Sequence, residues 1–163
     1  MERTHARGPK GKRVVCKSPQ CHWKTLSTIA ALTVNGMLGH ATFEGSTDMD
    51  MFLEFVRTGL LPNLRRGQIV VMDNLSVHTS PAVATLIESV GAKVIYLPPY
   101  SPDFNPIEMA ISKIKAYVRK LAKRTVAELS VAIDDAMKTI GKKDAKGFFG
   151  HCGYHATCVR KVL

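Results

Sequence analysis

Two carboxylates stand out by type and spacing. Asp73 ends the run Ile69-Val-Val-Met-Asp-Asn, and Glu108 ends Pro98-Pro-Tyr-Ser-Pro-Asp-Phe-Asn-Pro-Ile-Glu. Thirty-four residues lie between them, and His78 follows five positions after the Asp. Carboxylate oxygens suit hard divalent cations, and a site that holds two such cations can activate water and stabilise a leaving oxygen. That is the chemistry of a metal-dependent nuclease or polynucleotidyl transferase. Sites of this kind ordinarily use a third carboxylate. Each acid also has a structural use. Asp73-Asn74 suits a turn after a strand. Glu108 falls three residues after Asn105, with Pro106 at the first helical position, which is the spacing of a capping box.

The elements that must position these acids are legible from periodicity. Thr25 to Val34 is β-branched and Ala-rich and predicts a buried strand. Asn35-Gly36 predicts a hairpin turn, with Met37 to Phe43 as the partner strand. Thr47-Asp48 can cap a helix to about Leu61, with Phe52, Phe55, Val56 and Leu60 on one face. Ile69 to Met72 is a short apolar strand of the kind buried on both faces of a sheet. Ser80, as cap, and Pro81 start a helix that ends at Gly91, and Val94 to Leu97 is a second short strand. Strand, helix, strand predicts a parallel βαβ unit, and ligands bind at the carboxyl ends of such strands.

Four prolines in the nine residues Pro98 to Pro106 restrict the loop that leads to Glu108. The next helix runs from Pro106 to about Lys123, with Ile107, Ile111, Ile114, Val118 and Leu121 as its apolar stripe. Thr125, with Glu128 three residues on, caps a further helix lined by Leu129, Ile133, Met137 and Ile140. Gly141 stops it, and a short helix near Asp144 to Phe149 closes the chain's core. There are no internal repeats and no internal linker.

A chain of 163 residues with 45% apolar residues fits one globular domain. It holds no apolar run of the ~20 residues a membrane span needs. The N-terminus lacks the apolar stretch of a signal peptide, so a cytoplasmic protein is expected. The net charge of +10 is unevenly spread. Residues 1–24 carry seven Lys/Arg against one acid, residues 25–108 four against eight, and residues 109–163 twelve against four. An acidic centre between basic arms suits cation binding beside a phosphate backbone. The candidate DNA-contacting cations are Arg7, Lys10, Lys12 and Arg13 in the first arm. In the helix after Glu108 they are Lys113, Lys115, Arg119, Lys120 and Lys123. Gly8-Pro-Lys-Gly-Lys-Arg lacks the spacing and the Ser/Thr of a phosphate loop. Cys16, Cys21, Cys152 and Cys158, with His22, His151 and His155, lack the tight Cys-x2-Cys knuckle of a zinc site, which favours reduced thiols.

Asp73-Asn-Leu-Ser-Val-His78 followed by Pro98 to Glu108 resembles the DDE-type transposases, most of all the insertion-sequence 630 branch of the mariner-like superfamily. The thirty-four-residue gap and the ending Gly147-Phe-Phe-Gly-His-Cys-Gly-Tyr154 are similar too. The resemblance covers nearly the whole chain. It implies an α/β, ribonuclease H-like fold: a mixed sheet flanked by helices, formed by residues 1–163 as a single catalytic domain. It implies that Asp73 and Glu108 are the second and third ligands of two Mg²⁺ or Mn²⁺ ions, which cut the element's ends and drive strand transfer into target DNA. Asn74, His78, Tyr100 and Asn105 would orient ligands or DNA, or serve as turn and capping residues. The partners implied are transposon-end and target DNA and a second copy of the chain or a larger assembly. The location implied is the bacterial cytoplasm, at the nucleoid.

The family pattern also has a first Asp on a first, central strand and an N-terminal helix-turn-helix region. Both would precede Met1, since no acid lies between Glu2 and Glu44. The chain is therefore expected to be an impaired, N-terminally truncated transposase, or alternatively a catalytically dead remnant that binds DNA or a full-length transposase. Without the central strand, its neighbours must pair directly, recruit Val14–Cys16 or borrow a strand, and the open edges predict poor solubility.

Overall fold

The computed structural model describes residues 7–11 and 24–154. Leu26–Thr33 (β1) and Gly36–Glu44 (β2) form an antiparallel hairpin in which Thr33 pairs with Gly36. The two turn residues are thus Val34 and Asn35, one position earlier than the Asn-Gly pair suggested. Gly36 opens β2 with φ 127°, and a Cβ there would meet the Ile140 carbonyl oxygen at 2.8 Å. Conformation and close approach both require glycine at that point.

The hairpin serves two cores at once because successive strand residues face opposite sides. Ile29, Ala31 and Leu38 pack on a cluster of Phe52, Val56, Leu60, Met72, Val83, Ile87 and Ala92. Ala30, Leu32 and Met37 pack on the other side, against Ala110, Ile114, Val118, Ala132, Ala136, Met137 and Ile140. The strand expected to be buried over Thr25–Val34 is instead half-buried along most of its length, because a two-stranded ribbon shields its residues only partly.

The first layer begins with Met49–Phe55 (α1). The Asp48 carboxylate accepts from the Met51 amide at 2.8 Å, which is the cap expected there. The helix does not run uniformly to Leu61. It widens into a π-turn over Val56–Leu60 and tightens into a 3-10 turn over Leu61–Asn63. Phe52, Phe55, Val56 and Leu60 are buried as their spacing predicts.

Ile69–Met72 (β3), Pro81–Ser89 (α2) and Lys93–Tyr96 (β4) complete this layer as a parallel βαβ unit, with Ile69 opposite Lys93 and Met72 opposite Tyr96. Ser80 makes no side-chain cap bond, so Pro81, preset for the first helical position, starts α2. β3 is not buried on both faces. Ile69 is 38% and Ile95 48% exposed, because among the described residues this sheet has only two strands. β1 and β3 do not hydrogen-bond to each other, which removes direct pairing as the way these strands manage their edges. Val14–Cys16 lies outside the described residues.

The second layer is Pro106–Leu121 (α3), Val126–Lys138 (α4) and Lys142–His151 (α5). The buried row of α3 is Pro106, Ala110, Ile114 and Val118, while Leu121 is 41% exposed. Of the expected stripe, Ile114 and Val118 are buried, while Ile107 and Ile111 are half-buried and Leu121 is exposed, so the stripe is rotated toward Pro106 and Ala110. Ala110, Ala132 and Ala136 let the helix backbones approach, and a stripe read from large residues alone misses that. Ala122, with φ 49°, ends α3 just before the expected Lys123. The Thr125–Glu128 cap forms as its spacing predicts: the Glu128 amide donates to Thr125 Oγ1 at 3.2 Å, and that hydroxyl donates to Glu128 Oε2 at 2.9 Å. α5 is longer than the expected Asp144–Phe149, because Asp144 Oδ2 accepts from the Gly141 amide and fixes an earlier start.

Candidate active site at the carboxyl ends of the parallel strands

Asp73 directly follows β3, and the Met72 carbonyl accepts from the Leu97 amide at 2.8 Å. That bond holds the carboxyl ends of β3 and β4 level. Asp73 Oδ1 accepts from the Leu75 amide at 3.2 Å and lies 2.6 Å from His78 Nδ1. The turn role expected for an Asp at this place is therefore real, yet it uses one oxygen. Oδ2 makes no hydrogen bond among the described residues, and the side chain is 40% exposed.

His78 is itself held from two sides. Its ring packs on Phe52 with centroids 4.6 Å apart, and its carbonyl accepts from the Tyr96 hydroxyl at 3.0 Å. Neither Phe52 nor Tyr96 was singled out from sequence for this role, because an apolar periodicity says nothing about which ring meets which. Asn74 reaches across instead: its Nδ2 donates to the Leu97 carbonyl, where the loop toward Glu108 begins. Asp73, Asn74 and His78 thus form one turn, tied to the second loop at its root.

That second loop is anchored along its length. Ser101 Oγ donates to the Pro99 carbonyl, Pro102–Phe104 forms a 3-10 turn, and the Asn105 amide donates to the Pro102 carbonyl at 2.9 Å. At its far end the Tyr154 hydroxyl donates to the Phe104 carbonyl at 3.0 Å. Burial and then the neighbouring Cys152 push the Tyr154 phenol above its ordinary range, so it stays a donor. Tyr154 belongs to the C-terminal segment noted in the sequence, but nothing in spacing assigned it this contact, fifty residues away.

Glu108 sits in the first turn of α3, where a negative charge complements the helix end. The capping box expected there does not form. Asn105 makes no side-chain cap bond, and the Glu108 amide donates to the Asn105 carbonyl at 3.1 Å. Among the described residues the exposed Glu108 carboxylate has no hydrogen bond or ion pair, so it is free for another partner. On α3, Glu108, Ser112, Lys115 and Arg119 fall at i, i+4, i+7 and i+11, which is one helix face, and all four are exposed. Arg119 lies roughly 16 Å along the axis from Glu108.

Other expected cations are placed differently. Lys113 pairs with Asp144 at 2.7 Å, and Lys123 lies 3.7 Å from Glu128. Lys120 is exposed but turned from the Glu108 face. Arg7 and Lys10 are exposed, while Lys12 and Arg13 lie outside the described residues. Cys152 is a buried free thiol, pushed up by burial and then by Asp103. Cys16, Cys21, Cys158, His22 and His155 are outside the described residues.

The donor chemistry suits a hard cation. Mg²⁺ typically takes one or two protein carboxylates and completes its shell with water and substrate phosphate, and Asp73 Oδ2 and the Glu108 carboxylate are unengaged oxygens of that kind. Among the described residues no group of three His, Cys, Asp or Glu could hold a metal. No helix among them is long and apolar enough to cross a membrane.

The fold is the ribonuclease H-like mixed α/β arrangement. It superposes on a pre-cleavage Mos1 transpososome with a TM-score of 0.72 at 13% identity, over 99% of this chain and 51% of that one. For the Mos1 mariner paired end complex with Mn the TM-score is 0.68 at 15% identity, over 99% and 51%. For the Mos1 transposase catalytic domain with Raltegravir and Mg it is 0.62 at 17% identity, over 85% and 76%. The chain spans about half the length of the first two. No curated protein matches it. Residues 1–130, which include Asp73 and Glu108, match the family described as DDE superfamily endonuclease, and the chain belongs to that family.

Proposed function

We propose that residues 1–163 form a single transposase catalytic domain. It would act in metal-dependent cleavage of element ends and strand transfer into target DNA. Asp73 and Glu108 would hold Mg²⁺ or Mn²⁺. The observation that carries the reading is Asp73, with one oxygen unengaged at the carboxyl end of β3, on a turn that Asn74 ties to the root of the loop leading to Glu108 in the first turn of α3. Family membership and the metal-bearing Mos1 structures support it.

A bound divalent cation supplies Lewis acidity for phosphoryl transfer. The chain's own residues do the rest. His78 and the Leu75 amide hold one Asp73 oxygen and so aim the other. Asn74 fixes the spacing of the two loops, Asn105 and Tyr100 line the approach to Glu108, and Lys115 and Arg119 neutralise the phosphates of a strand leading away from it. Arg7, Lys10, Lys12, Arg13, Lys113, Lys120 and Lys123 add to that electrostatic contact. The Mos1 paired-end complexes support a dimer or larger assembly as the working form.

One observation favours a second reading, DNA binding without chemistry: Lys115 and Arg119 are exposed on one face of α3 and could hold a phosphate backbone with no part in catalysis. Supercoiled-plasmid nicking in Mg²⁺ or Mn²⁺ decides between them. Nicking that vanishes in Asp73→Ala supports the enzyme. Salt-sensitive DNA binding with no nicking, unchanged by Asp73→Ala, supports the binding remnant.

A further inference from the structure

We propose that Tyr100 is a base-stacking platform, which takes an unpaired nucleobase of the DNA strand whose phosphate lies at Asp73 and Glu108. The inference rests on the reading of this site as a DNA-handling one.

Tyr100 is wholly exposed, at 103% of its reference area. It is also one of two non-glycine residues with positive φ among those described, at 55°. The other, Ala122, ends α3, where a left-handed residue is an ordinary helix stop. Tyr100 ends no helix. A bulky residue in this region is strained, and such strain persists only where the surroundings over-determine it.

The surroundings do so here. Pro98, Pro99 and Pro102 restrict the chain on both sides of Tyr100. Asn74 holds the loop at Leu97, Ser101 bonds to Pro99, and Tyr154 holds Phe104. The loop is braced at its root, middle and end, and what the bracing holds out in water is an aromatic ring. Phe104, 52% exposed, lies four residues further along the same loop, and Leu75, 56% exposed, lies on the Asp73 turn. The Asp73 turn and the loop that leads to Glu108 thus carry three apolar side chains that are more than half exposed.

The chemistry selects a base over other parts of a nucleic acid. Asp103 in the same loop repels phosphate, whereas a neutral base can lie on the ring face. Bases within a duplex have both faces covered, so the ring needs one that is unpaired or drawn out of the stack. The net charge of +10, with Lys115 and Arg119 exposed on the Glu108 face, favours a nucleic acid over an acid-poor protein surface.

The test is fluorescence anisotropy in Mg²⁺ with a labelled single-stranded oligonucleotide and a duplex of the same length. Tyr100→Ala should weaken single-strand binding about tenfold, since a stacked base is worth that order, and leave duplex binding within about twofold. Tyr100→Trp should keep or tighten the single-strand complex. Tyr100→Gly should lose the same affinity while its melting temperature rises, because glycine adopts positive φ freely. Unchanged single-strand binding in Tyr100→Ala overturns the proposal, as does an equal loss on duplex. So does a shift from dimer to monomer in sedimentation with DNA binding intact, which would make Tyr100 a protein contact. If the wild-type chain binds duplex and is indifferent to Tyr100, only this inference fails. If it binds neither DNA, the reading of the site fails with it.

Discussion

The half of the molecule that carries Asp73 is packed with large side chains and a single alanine, Ala92, and the half that carries Glu108 sets three alanines among Ile114, Val118, Met137 and Ile140. Val56, Val83 and Ile87 are fully buried beneath β3 and β4. Ala110 and Ala136 are fully buried between α3 and α4, with Ala132 nearly so. Both cores fill a volume, and the alanines of the second also let two helix axes come together. The acids differ accordingly. Asp73 is fixed by its own turn, with the Leu75 amide and His78 on one oxygen. Glu108 is fixed by the helix that bears it, and its carboxylate makes no hydrogen bond or ion pair among the described residues. The hairpin β1–β2 is the shared wall, and the bond from Asn74 to Leu97 ties the two loops. Precision at this site therefore depends on two cores that fail in opposite ways, one by emptying and one by overfilling.

The largest effect should come from emptying the first. Ile87→Ala removes a fully buried side chain and should cost about 2–5 kcal/mol in urea unfolding. Hydrogen exchange should quicken first in β3 and β4. A change below half of that, or one spread evenly over α3 and α4, would show that the cores are not separable.

Overfilling the second core comes next. Ala136→Leu forces extra methylenes between α3 and α4 and should cost about 1–3 kcal/mol. It should also displace α3, and with it Glu108, so Mn²⁺ affinity should fall more than in Ile87→Ala variants of equal stability. The reverse order of metal affinities would refute the assignment of Glu108 to the alanine-packed half.

Cutting the tie is a smaller change. Asn74→Ala removes the donor to the Leu97 carbonyl and should cost about 1 kcal/mol of stability. Both cores should keep their exchange protection while the Pro-rich loop loses its own. A loop with unaltered protection in that variant would mean that the prolines alone hold it.

Much of this division was legible in the sequence, and the exceptions have physical causes. The strand Ile69–Met72, the parallel βαβ unit and the caps at Asp48 and Thr125 follow from periodicity and local chemistry, which act over a few residues. The rotated stripe of α3 did not, because burial of Ala110 depends on how close α4 comes. The half-buried β3 did not either, since an apolar tetrapeptide does not reveal how many strands flank it. At the site, Asp73, Asn74 and Glu108 were singled out by residue type and spacing. The struts from Tyr96 and Tyr154 were not, because both reach carbonyls far along the chain. The capping box at Glu108 was legible but wrong: Asn105 had the right identity and spacing, yet its side chain makes no cap bond.

The smallest effect to test is electrostatic and confined to the alanine-packed half. The Thr125 hydroxyl bond, then its backbone amide, then Lys123 hold Glu128 below its ordinary 4.5. The Lys113 hydrogen bond, ahead of the Gly141 amide, holds Asp144 below 3.8. A carboxylate whose folded value lies below its unfolded one stabilises the fold at pH values above the unfolded value. That contribution fades as pH falls toward and through the folded value. Glu128 is exposed and Asp144 about one-third exposed, so the contribution is small and screened by salt. Melting followed from pH 7 to pH 3 should therefore show α4 and α5 loosening at the acid end, more so at low salt. Thr125→Ala should remove the Glu128 part of that slope, and Lys113→Met the Asp144 part, while neither alters the response to Ile87→Ala. If the acid slope survives both substitutions, it comes from other carboxylates, and the two cores are not distinguished by pH.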